Sequence, residues 1–143
     1  MRSLIAGVDD SGRSTIIGEV AIKDRDIHAE GPSFRNDVFM LRETPPPMRP
    51  PGKASYHETG VQPGHADFLV LQMPAGIEHP MHHTDTLNFH TVVAGSLEVL
   101  LDDGPHLLDT GDSLVLPGID HGWRAGAAGC TMTILNLGSI RPE

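Results

Sequence analysis

Short apolar runs broken by glycine and aspartate turns fill the chain from residue 65 onward, and that rhythm excludes a helical fold. Ala66–Pro74, Leu87–Ala94, Ser96–Leu101, Pro105–Leu108, Asp112–Leu116, Gly122–Ala125 and Thr131–Leu137 read as strands. Gly95, Asp102-Asp103-Gly104, Thr110-Gly111, Pro117-Gly118 and Gly126–Gly129 separate them. A helix would need long runs of 3.6-residue periodicity, and none appears. Closely spaced short strands with such turns predict an all-β barrel or jelly roll.

The first third extends the pattern. Ser3–Val8 and Ser14–Ile22 predict a hairpin around Asp9–Arg13, whose Asp-Asp-Ser-Gly is good turn chemistry. Ile27–Asn36 is mixed and polar, and Asp37–Arg42 is a short apolar run that could make a further strand. Thr44–Gly52 holds five prolines in nine residues. Proline lacks the N–H that a ladder needs, so Pro45–Pro51 is expected to lie in a loop outside the barrel.

At 143 residues the chain is read as one domain, with a core over about 66–137 and N-terminal strands and proline-rich loop over 1–65. Its formal net charge of −9 argues against nucleic acid or an anionic membrane surface as partner. Neither a signal peptide nor an apolar stretch of spanning length is visible. The lone cysteine, Cys130, permits no internal disulfide and reads as a buried small hydrophobe. A cytoplasmic protein is expected.

Chemistry concentrates in the histidines. Four of the nine are His79, His82, His83 and His90, and His121 follows the turn at Pro117-Gly118. Neutral imidazole is both a common ligand for first-row metals and an acid/base near neutral pH. Side chains two apart on a strand share a face, so Asn88 should align with His90, and His121 with Trp123. Trp123, the sole tryptophan, reads either as core or as the aromatic wall of a ligand pocket. His79 and His83 read as loop residues facing solvent, or His83 as an inward alternative to His82; Asp85 reads as the cap of its own turn, and Arg124 as pointing outward.

These spacings resemble the two motifs of the cupin superfamily. Gly76, five residues, His82, then Asn88, six residues, Gly95 falls into the first motif's register. Gly111, five residues, Pro117-Gly118, two residues, His121 follows the second, one residue short between Pro and Gly. Met81–Phe89, His121–Arg124 and the opening Gly7…Gly12-Arg13-Ser14 are similar to one group of small single-domain cupins. The resemblance implies a jelly-roll β-barrel of two antiparallel sheets, a homodimer, and a small-molecule ligand or substrate inside the barrel.

It also implies a divalent metal (Zn, Fe, Mn or Ni) held by three His and one Glu. Here His82 and His121 keep their places, whereas Thr84 replaces the second His, Asn88 the Glu and Ala125 the terminal Asn. A shifted site would use His82, His121 and His90 with Asn88 as a weak oxygen donor. The implied function is an enzyme of lyase, decarboxylase, isomerase or cyclase type acting on a small organic acid or carbonyl metabolite. His82, His90 and His121 would be its catalytic residues, and Asn88 and Trp123 its substrate contacts. The alternative is a non-catalytic ligand-binding or sensing cupin that has lost its metal.

Overall fold

The computed structural model describes residues 1–22, 35–49 and 52–141. Nine strands follow in chain order: β1 (Arg2–Val8), β2 (Ser14–Ala21), β3 (Ser55–Tyr56), β4 (Ala66–Met73), β5 (Glu78–His83), β6 (Thr86–Leu101), β7 (Gly104–Asp109), β8 (Ser113–Leu116) and β9 (His121–Gly138). No helix occurs among the described residues, and none is therefore long and apolar enough to cross a membrane. The protein is an all-β jelly roll, its strands hydrogen-bonded as one sheet in the order β2-β1-β8-β6-β9-β5-β3, with β4 on β9 and β7 on β6.

The hairpin β1–β2 forms as its turn predicts: Asp9 accepts hydrogen bonds from Ser11 N and Arg13 N at 2.8 and 3.0 Å. Most pairings are antiparallel, but β1 joins β8 and β3 joins β5 in parallel. Asp37–Arg42 is not a strand; it is irregular chain whose Phe39 packs on Phe89 with ring centroids 5.9 Å apart. Pro45–Pro47 pair with no strand, as the missing donors require. Residues 27–34 and Pro50 and Pro51 lie outside the described residues.

The two longest strands differ most from their sequence pattern. Gly95 and Gly126–Gly129 do not end strands; they are irregularities within β6 and β9, where the register between these strands shifts. Along β6 the buried positions run Thr86, Asn88, His90, Val92, then change phase to Leu97, Val99, Leu101. A bulge does this, because one extra residue turns every later side chain to the other face. Gly95 sits at φ 73°, and a Cβ there would overlap the Gly129 carbonyl. On β9 the same change separates His121, Trp123 and Ala125 from Cys130, Met132 and Ile134.

The consequence is functional. β6 and β9 thereby present buried side chains on both sides of the bulge, and these meet in one core. Leu97, Val99, Leu108, Leu116 and Met132 are fully buried and anchor the apolar core, which Cys130 joins. Asn88, His90 and His121 are buried as well, but they face a cavity.

Candidate functional site

The cavity measures about 450 Å³. β5 and β9 supply its central pair: His82 and His121 are register partners, and their ring centroids stand 4.3 Å apart. Each ring is held by a carbonyl two residues earlier in the chain. His82 Nδ1 lies 2.9 Å from Pro80 O, and His121 Nδ1 lies 2.7 Å from Ile119 O. A carbonyl can only accept, so Nδ1 carries the proton and donates it in both residues. Each neutral ring therefore keeps its lone pair on Nε2.

The floor comes from β6. Asn88 and His90 both line the cavity, as do Trp123 and His79. His90 is 3% exposed, its ring 4.9 Å from that of Trp123, and neither of its nitrogens has a hydrogen-bond partner. Asn88 Oδ1 is likewise buried without one. Burial, and next the neighbouring His121, pushes the His90 imidazole down to about 3. Burial also takes His121 to about 3, His82 adding to the fall and the bond to Ile119 opposing it. His82 is lowered too, by burial first. At neutral pH these are uncharged imidazoles.

Five sequence-predicted site residues thus share one cavity: His82, Asn88, His90, His121 and Trp123. His79 and His83 belong to β5 rather than to a loop. Asp85 does not cap its own turn; its carboxylate accepts a hydrogen bond from Tyr56 Oη at 2.9 Å. Arg124 is exposed and pairs with Glu98.

Sequence reasoning missed His57. Residues 52–60 cross the cavity beside β5, with His57 N donating to His83 O at 2.8 Å. The His57 ring lies 5.5 Å from that of His82, edge toward face. Asp120 clamps this strap, accepting from Lys53 N at 2.7 Å and Ala54 N at 3.1 Å. Tyr56 Oη bonds Glu58 and Asp85, and Arg141 pairs with Glu58. The available signal was the polar-aromatic Ser55-Tyr56-His57, whose first two residues form the short strand β3 close after the prolines.

The clamp makes a prediction. Asp120→Ala leaves two amides without their acceptor, which should cost about 1–3 kcal/mol. Hydrogen exchange at the Lys53, Ala54 and His57 amides should rise while β6 stays protected. Unchanged exchange at all three would show that Asp120 does not hold the strap.

Among the described residues no group of three or more His, Cys, Asp and Glu side chains is set to hold a metal ion. His82 and His121 offer two Nε2 atoms, but Asn88 is a weak donor and His90 packs on Trp123. As arranged, the donors stop short of the three protein ligands that a divalent ion normally needs.

No protein-family model matches the chain, and no curated protein matches it. Solved structures do. One is a cupin-2 domain protein from Shewanella frigidimarina: 25% identity, 49% of this chain and 68% of that one, TM-score 0.44. Another is the DMSP lyase DddQ from Ruegeria pomeroyi: 26% identity, 55% and 41% covered, TM-score 0.48. A third is an HTH_3 family transcriptional regulator from Vibrio cholerae: 15% identity, 55% and 44% covered, TM-score 0.46. The motif segments fall on β5–β6 and β8–β9, and they bring their two histidines side by side at the cavity. The fold is cupin-like. The chain spans less than half the length of the lyase and the regulator. A cupin-like fold carries many activities, so the function has to be argued from the cavity itself.

Proposed function

We propose that the protein binds a small carbonyl metabolite in this cavity and moves a proton on it with His82 and His121. The observation that carries the reading is the facing pair itself: both rings hold Nδ1 on a backbone carbonyl and leave Nε2 unprotonated. A fixed imidazole with a free lone pair is a general base for a proton next to a carbonyl. The ring that takes the proton then holds it on Nε2 and can return it at another atom of the same substrate. Proton removal next to a carbonyl is the opening step shared by isomerisation, elimination and cyclisation. Trp123 and the strap residues Ser55, Tyr56 and His57 line the site.

The amide at Asn88, where the resemblance implies a carboxylate, favours a second reading, binding without turnover. Tagless protein, analysed for metal and then given a panel of small carbonyl compounds, separates the readings. The metal-free enzyme predicts turnover with no stoichiometric ion. A bound ion lost with the two histidines would establish a metal centre instead, and saturable binding without product would leave the binding reading. In the double variant His82→Ala/His121→Ala, turnover should drop at least about a hundredfold with an unchanged circular-dichroism spectrum. Wild-type turnover in that variant would refute the assignment.

A further inference from the structure

The polar groups facing the cavity are hydroxyls, amides and imidazoles. Among the described residues that line it, none is Asp, Glu, Lys or Arg. Of the charges nearby, Arg141 pairs with Glu58, and Asp120 accepts from the Lys53 and Ala54 amides. A carboxylate entering this space would meet no fixed cation, and burying an unpaired charge costs several kcal/mol. The net charge of −9 adds a repulsive field for any anion approaching from solvent.

The unpartnered atoms point the same way. Asn88 Oδ1 is a buried acceptor without a donor, and both nitrogens of His90 are buried without partners. A neutral imidazole has one N–H and one lone pair, so together the two residues ask for two donors and one acceptor. A hydroxyl both donates and accepts, and a ketone oxygen accepts. A carboxylate only accepts: it cannot satisfy Asn88 Oδ1 and would set a full negative charge against it. Leaving a buried polar group unmatched is how sites built for hydroxyl groups reject analogues.

We propose that the cavity selects uncharged hydroxy-carbonyl compounds and rejects carboxylates of the same shape. This rests on the reading of the cavity as a small-molecule site, and it narrows the implied organic acid or carbonyl metabolite to the second. The hydroxyl would sit between Asn88 and His90, with the C–H next to the carbonyl toward the Nε2 lone pairs of His82 and His121.

Matched pairs that exchange only a methyl ketone for a carboxylate test it: ortho-hydroxyacetophenone against salicylate, and acetoin against lactate. Isothermal titration calorimetry at neutral pH gives the affinities, and the Trp123 indole N–H resonance reports occupancy of the cavity. The ketones should bind at least about tenfold tighter than their acids, equivalent to about 1.4 kcal/mol. Asn88→Leu should weaken both members of each pair alike, since the hydroxyl they share is the group that meets Asn88. Acids that bind as tightly as the ketones, and shift Trp123, would overturn the ligand class while leaving the small-molecule site standing. No shift of Trp123 with any of the four compounds would overturn both.

Discussion

Acid should destabilise the protein well before its carboxylates begin to protonate. His90 and His121 are held down to about 3 in the fold, whereas in the unfolded chain they take protons below about 6.5. Between those values the unfolded state binds more protons, so stability falls as the pH falls. It is intact above about 6.5. Each group contributes a slope of about 1.4 kcal/mol per pH unit, so two groups over one and a half units should cost about 4 kcal/mol by pH 5. The lowered His82 acts in the same direction. Glu58 and Asp103, whose carboxyls are held below their usual range, add their effect only at lower pH. Urea midpoints at pH 7 and pH 5 measure the loss. His90→Leu should reduce the difference by about half, and it should raise stability at pH 7 by removing two unpaired buried nitrogens. Equal midpoints at the two pH values would show that the imidazoles are not buried as described.

The residues behind that prediction were legible from spacing, because strand alternation is a strict geometric rule. Asn88 and His90 lie two apart on β6, as do His121 and Trp123 on β9, and all four line the cavity. The meeting of His82 with His121 could not come from alternation. It needed the motif register, and the pairing of β5 with β9 supplies it. Glycine, the signal that marked the strand ends, misled at Gly95 and Gly126–Gly129. A glycine at positive φ serves a bulge as well as a turn, and only the partner strand distinguishes them. His57 was hidden for a different reason. Its strap is held by side chains distant in sequence, Asp120 above all, and local propensity carries no trace of such bonds. The apolar run Asp37–Arg42 misled because its Phe39 covers the outside of the sheet at Phe89 rather than joining a ladder.

One added methyl should disable the whole site. Gly118 is buried at the turn before β9, and its φ is not positive, so its backbone would accept any residue. Space is what forbids a side chain there, since a Cβ would overlap the carbonyl oxygen of Thr84. Thr84 has little room to retreat. Its N–H donates to Gly118 O at 3.2 Å, and its hydroxyl bonds that of Thr86 at 3.0 Å. In Gly118→Ala the turn must therefore move. Ile119, whose carbonyl orients His121, moves with it, and so does Asp120, which clamps the strap over the cavity. Overpacking against backbone should cost about 3 kcal/mol. Gly64→Ala is the control: its Cβ would meet nothing within 4 Å, and its φ of 80° carries only the left-handed penalty of about 1–2 kcal/mol. Urea denaturation ranks the two losses, and the Trp123 indole resonance should shift in Gly118→Ala alone. A Gly118→Ala protein as stable as Gly64→Ala, with its Trp123 resonance unmoved, would mean that the turn tolerates the methyl and does not set the aim of His121.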